Sequence, residues 1–294
     1  MRSVLFFTQN QWAFGQIHHA LIKRLWERKI YAHLLDFYQE YTQQEFDCLK
    51  SRFEIWCTTP EAVQRLLNAG IPANRIVAIA HAERDLHGAI QNSGAGMFDG
   101  LKEFAVINQS LAGVAKSLGI SREPKLVQNG IDFDHFYSPV SSQLRRVAYT
   151  GADVHPMWSG YNCKRPHLLA PVMDGMDLEF VKPPRMNHLC MGGFYPTIDA
   201  ILVTSSYEAC GLPALEAAAA GRLVVSAQVG YFNGHTGWLC RLPDAEYIED
   251  ARKGLSYMKE FPSLYVSACE FAQQYTREHF DWSITAPVWV ELFD

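Results

Sequence analysis

Short apolar runs recur along the chain and are separated by segments with a helical spacing of apolar positions. Six runs come first: VLFFT (4–8), AHLLDF (32–37), FEIWC (53–57), RIVAIAH (75–81), FAVIN (104–108) and KLVQN (125–129). Five more follow: RVAYTG (146–151), LEFV (178–181), AILVTS (200–205), LVVSA (223–227) and GWLC (237–240). Continuous apolar runs of this length predict parallel strands covered on both faces. Between them, GQIHHALIKRLWERK places Ile17, Leu21 and Leu25 on one helical face. TPEAVQRLLNAG reads as a helix with Thr59 as N-cap, Pro60 at its first position and Gly70 past its end. SLAGVAKSLG predicts another helix from Ser110 to Gly119. The alternation of β and α elements predicts an α/β fold of two doubly wound, Rossmann-like domains.

The polar stretch FDHFYSPVSSQLRR (133–146), with Pro139 and three serines, separates the two series. The tail YTREHFDWSITAPVWVELFD (275–294) is helical and aromatic in character, and Pro287 is expected to kink or break it. The region 81–104 is rich in glycine and reads as a loop. The Tyr-, Phe- and Gln-rich stretch 36–47 either covers the core or lines a site, the first being the commoner use of such residues. Beyond Ala217–Ala220 there is no low-complexity segment and no internal repeat.

A chain of 294 residues suits one large or two ordinary domains, and 48% hydrophobic with 19% charged residues marks a globular protein. A net charge of −5 argues against nucleic-acid binding as its main task. The seven cysteines are scattered without a C-x-x-C pair, which disfavours a zinc site or a disulfide framework and points to a reducing cytoplasm. The apolar run in MRSVLFFTQNQW is too short for a signal peptide and reads as a buried strand. No run approaches the roughly 18 apolar residues that a membrane span requires.

Candidate chemistry centres on SSYEACGLPALEAAAAGRLVVS (205–226). Ligands of an open α/β sheet sit beyond the carboxyl ends of its strands, and AILVTS ends at Ser205. Gly211 allows positive φ or close backbone approach, and Pro213 suits the first position of the following helix. That helix start is a seat for phosphate oxygens. Glu216, expected in the first helical turn, is suited to accept hydrogen bonds from a ribose diol, with Glu208 reaching another part of the same ligand. The plainer alternative has Glu216 complementing the helix dipole and Glu208 solvated in a loop.

The stretch EACGLPALE has the form E-x7-E and resembles retaining glycosyltransferases of family 4. LVQNGIDFDHFYSP resembles that family's domain-junction stretch, VGYFNGHTGWLC its glycine loop and following strand, and FDWSITAPVWVELF its C-terminal helix. The four motifs run in the family's order from about residue 130 to the end. The resemblance implies the GT-B architecture, two facing Rossmann-like domains with a cleft between them. It divides the chain into an acceptor domain (1–138) and a donor domain (139–277), with 278–294 returning to the first.

The same resemblance implies transfer of a hexosyl group from a nucleotide diphosphate sugar, UDP- or GDP-linked, to an acceptor hydroxyl with retained configuration and no metal or other cofactor. Carried over by position, Glu216 would hold the ribose and Glu208 the donor sugar. Backbone N–H groups at Gly211 and Leu212 would meet sugar hydroxyls or phosphate, and Lys164 with Arg165 would form the cationic pair on the diphosphate. Ala152 stands where the family often has an arginine. His81 would face the donor sugar or serve as a satisfied core histidine. Gly15, ahead of a helix carrying His18 and His19, would approach the diphosphate. Asn129 and Asp132 suit a hinge turn, and DFD (132–134) belongs to that junction and not to a metal site. The region 81–104 would line the cleft.

The acceptor would be a saccharide, a lipid-linked sugar or a modified nucleobase, and stable membrane insertion is not expected. A transferase acting on modified bases in DNA and a non-catalytic sugar-nucleotide-binding module are the competing readings. A nicotinamide enzyme is set aside because VLFFTQNQW lacks G-x-G-x-x-G.

Overall fold

All eleven apolar runs are strands in the computed structural model, which describes residues 2–9, 12–151, 163–183 and 190–294. Ala152 lies outside the described residues. The chain divides into two compact units, residues 1–130 with 282–294, and residues 131–281.

The first unit holds strands β1 (Ser3–Thr8), β2 (Tyr31–Asp36), β3 (Ile55–Thr58), β4 (Ile76–Ala80), β5 (Glu103–Val106) and β6 (Lys125–Leu126). Its helices are α1 (Trp12–Glu27), α2 (Gln43–Arg52), α3 (Val63–Asn68), α4 (Glu83–Ser93), α5 (Gln109–Ser117) and, from the end of the chain, α12 (Trp282–Val290). The strands form one parallel sheet in the order β2-β1-β3-β4-β5-β6. Central strands β1, β3 and β4 are buried at every position, which accounts for their unbroken apolar sequence, whereas edge strand β2 is partly exposed.

The second unit holds β7 (Arg146–Ala148), β8 (Glu179–Val181), β9 (Ala200–Val203), β10 (Leu223–Ala227) and β11 (Trp238–Cys240). Its helices are α6 (Phe133–Phe136), α7 (Leu169–Met173), α8 (Met191–Phe194), α9 (Leu212–Ala219), α10 (Asp244–Glu260) and α11 (Pro262–Phe280). This sheet is also parallel, in the order β11-β10-β9-β7-β8. Both sheets therefore reverse winding beside their first strand, between β1 and β3 and between β7 and β9. Such a switch point opens a crevice at the strands' carboxyl ends.

Several local expectations change. Residues 81–104 are not a loop: α4 spans Glu83–Ser93, followed by a 3-10 helix over Ala95–Gly100. Leu86, Ala89 and Phe98 are buried there, and the buried Asp85 accepts from the backbone N–H groups of His81 and Ala82, so tertiary packing and a cap outweigh the glycines. Residues 43–52 form α2, whose capping box joins Thr42 and Glu45. Thr59 stands at an N-cap position but makes no capping bond. Helix α1 begins at Trp12, so Gly15 lies inside its first turn and not ahead of it. The tail breaks at Asp281, between α11 and α12, and α12 continues through Pro287.

Helix α12 packs on α1. Trp289 Nε1 donates to the Gln128 carbonyl at 2.8 Å, and the Phe293 ring meets Phe6 edge-on at 5.7 Å. Gly130 leaves room for Thr285 and Trp282, whose atoms occupy the place a Cβ would take.

Candidate functional site

Strand β9 delivers the chain to the switch-point crevice of the second unit, and the segment 163–165 lies alongside it. Thr204 Oγ1 donates to the Lys164 carbonyl at 2.6 Å, and the Ser206 N–H to the Cys163 carbonyl at 2.8 Å. Arg165 has a left-handed backbone (φ 44°) and is 2% exposed. Its Nε donates to the Thr204 carbonyl at 2.6 Å, and Nη1 to the Leu242 carbonyl at 2.5 Å and Asp244 Oδ1 at 2.7 Å. The guanidinium carbon lies 5.3 Å from the centre of the Tyr247 ring. Tyr247 in turn donates toward the carbonyls of Val203 and Val225. Arg165 thus ties the end of β9 to the start of α10.

The side chains of Lys164 and Glu208 form an ion pair, and Ser205 Oγ donates to the same Glu208 oxygen at 2.6 Å. Lys164 and Glu208 are 20% and 15% exposed, so Glu208 is not the solvated loop residue of the plainer alternative. Three residues beyond Glu208, the chain turns into α9 through Gly211 at φ +73°. The loop after β10 presses on this turn: the Tyr231 N–H donates to the Cys210 carbonyl at 2.9 Å. At Gly230 (φ +60°) a Cβ would come within 2.6 Å of Cys210 backbone atoms.

Glu216 lies in the second turn of α9 and not the first, because the helix begins at Leu212. It is 2% exposed, and Tyr195 Oη donates to its Oε2 at 2.8 Å. Burial first, then the Glu216 charge, pushes the Tyr195 hydroxyl well above its ordinary value and keeps it a donor. A carboxylate buried and bonded in this way does more than complement a helix dipole at a surface.

His81 and Gly15 belong to the first unit. His81 follows β4, is 1% exposed, meets His18 edge-on at 5.4 Å and lies 6.2 Å from the Trp289 ring. Burial pushes His81 down to about 3. It also lowers His18 well below its usual value, helped by His81 and His19. Burial raises the Asp85 carboxyl to about 6. Gly15 is buried within α1, and His19 on the same helix is exposed. Asn129 is buried, and the Asp132 carbonyl accepts from the His135 N–H at the start of α6.

The second unit therefore brings Lys164, Arg165, Glu208, Gly211, Leu212 and Glu216 to the carboxyl ends of β7 and β9. Sequence reasoning missed Ser205, Tyr195 and Asp85. Ser205 and Asp85 had local signals, at three residues before Glu208 and at the start of an apolar helical pattern. Tyr195 had none, standing far from Glu216 in the chain. Among the described residues, no group of three His, Cys, Asp or Glu could hold a metal ion, and no helix is long and apolar enough to cross a membrane.

No protein-family profile matches the sequence, and no curated protein matches it. Solved structures do. A sucrose-phosphate synthase from Thermosynechococcus elongatus aligns with a TM-score of 0.76 at 13% identity, covering 100% of this chain and 98% of its own. An alpha-glucosyltransferase in complex with UDP and a 13-mer DNA containing an HMU base aligns at 0.72 and 9% identity, covering 100% of both chains. The catalytic domain of starch synthase IV from Arabidopsis thaliana, bound to ADP and acarbose, aligns at 0.69 and 11% identity over 100% of this chain and 98% of that one. These neighbours are GT-B glycosyltransferases, and the chain has their α/β fold.

Proposed function

We propose that the chain is a retaining glycosyltransferase, similar to family 4, that moves a hexosyl group from a UDP- or GDP-sugar to an acceptor hydroxyl without a metal. The carrying observation is the cluster at the β9–α9 turn: a part-buried lysine paired to Glu208, a left-handed glycine and a helix start, with a buried, bonded carboxylate one turn further on. The solved neighbours bound to UDP and to ADP support a nucleotide donor.

Loss of the donor sugar leaves negative charge on the nucleotide diphosphate and positive charge at the anomeric carbon. Lys164, the N-terminus of α9 and the N–H groups of Gly211 and Leu212 would stabilise the first. Arg165 would add positive charge while holding the end of β9. Glu208 would contact the donor sugar, and Glu216 the ribose hydroxyls. Neighbours bound to HMU-containing DNA and to acarbose support two acceptor classes, a modified nucleobase and a saccharide. The net charge of −5 favours the saccharide, and a cytoplasmic location accords with the free cysteines.

The test is melting temperature and product formation with UDP-, GDP-, ADP- and dTDP-sugars, each with an oligosaccharide and with HMU-containing DNA as acceptor. One nucleotide raising the melting temperature, together with an α-linked product from an α-linked donor, is expected. Stabilisation with neither transfer nor donor hydrolysis would leave a non-catalytic binding module. Absence of any nucleotide effect would overturn the proposal.

A further inference from the structure

The hydroxyl of Tyr195 joins two parts of the second unit. Tyr195 opens a 3-10 turn leading into β9, and its ring is fully buried. Its hydroxyl donates to Glu216 Oε2 at 2.8 Å, on α9. The bond therefore links the turn that leads into β9 with helix α9.

The terminal torsion of a glutamate is broad and roughly two-fold, so packing of its stem alone does not orient the carboxylate. A donor on a rigid, buried ring does. The phenol has one proton, and it is directed at Oε2, which sets the plane in which the carboxylate presents itself. Core filling would need only the ring, and phenylalanine would serve. The observed hydroxyl, buried and aimed at a buried carboxylate, indicates a requirement on orientation.

We propose that Tyr195 is the positioning residue that makes Glu216 a reader of the ribose diol, and so a determinant of ribonucleotide over deoxyribonucleotide donors. This rests on the donor-site reading above. Tyr195 touches no substrate and acts through Glu216.

The experiment is calorimetric binding of UDP, GDP and their 2′,3′-dideoxy analogues to wild type, Tyr195→Phe, Glu216→Gln and the double variant. Wild type is expected to prefer the ribonucleotide by about tenfold, the scale of a hydrogen bond to a charged group. Tyr195→Phe should lose most of that preference by weakening the ribonucleotide, with the dideoxy analogue unchanged within about twofold, and should add nothing in the Glu216→Gln background. Equal weakening of both nucleotides by Tyr195→Phe, or no weakening of either, would overturn the inference alone. Failure of wild type to bind any nucleotide would overturn the donor-site reading with it.

Discussion

Lys164 and Glu208 stand 44 residues apart in sequence and meet as an ion pair just beyond the end of β9. In the proposed donor site both would engage the same substrate, the lysine its diphosphate and the glutamate its sugar. Substrate must then replace each as the partner of the other. Glu208→Gln is expected to bind free UDP more tightly by about two- to fivefold, since a part-buried pair is worth up to about 1 kcal/mol. The same variant should transfer sugar about a hundredfold more slowly. Calorimetry with UDP beside a turnover assay checks both, and weaker UDP binding by Glu208→Gln would contradict the exchange.

Arg165 is expected to show itself in stability more than in nucleotide affinity. Arg165→Met removes bonds to the Thr204 and Leu242 carbonyls and to Asp244. The cost should be about 2–4 kcal/mol, below a fully buried pair because Asp244 is half-exposed. Arg165→Lys should fail to restore it, since an ammonium cannot present the planar fork that these acceptors meet. Urea unfolding of the three proteins is the measurement.

Acid should destabilise the first unit from near neutrality. His18 and His81 are held neutral by burial, His81 down to about 3, against an ordinary histidine value of about 6.5. Below about pH 6.5 the unfolded chain binds protons that the native one does not, so each histidine lowers stability by up to about 1.4 kcal/mol per pH unit on acidification. Asp85 has the opposite sign: its native value of about 6 lies above the unfolded one, and its contribution grows as pH falls from about 6 to about 4. Denaturant midpoints should therefore fall steeply just below pH 6.5 and less steeply below pH 6. Replacing His18 by phenylalanine, beside Phe6, should flatten the slope.

Gly230 supports the β9–α9 turn from behind. Its φ of +60° and the 2.6 Å between a Cβ there and Cys210 leave no room for a side chain. Gly230→Ala should cost about 1–3 kcal/mol and weaken nucleotide binding through the displaced Gly211. Gly234, with open space around its Cβ position, is the control: its alanine variant should change neither melting temperature nor binding.

Unbroken apolar runs such as IVAIA and AILV mark strands buried on both faces, and that local record of burial was enough to name all eleven strands and the doubly wound class. Gly211 and Pro213 likewise announced the turn into α9, because backbone conformation is a local property. Helix α4 was hidden, since Gly88, Gly94, Gly96 and Gly100 dilute its pattern and its stability comes from the buried Leu86, Ala89 and Asp85. The partners of the candidate residues were not legible at all. Tyr195 reaches Glu216, Lys164 reaches Glu208 and His18 reaches His81 only because parallel strands distant in sequence end at one edge of a sheet. Periodicity records which face of an element is buried. Strand order decides which elements share an edge, and it arises from packing over the whole domain, so the chain alone determined the elements and the tertiary structure decided which side chains meet.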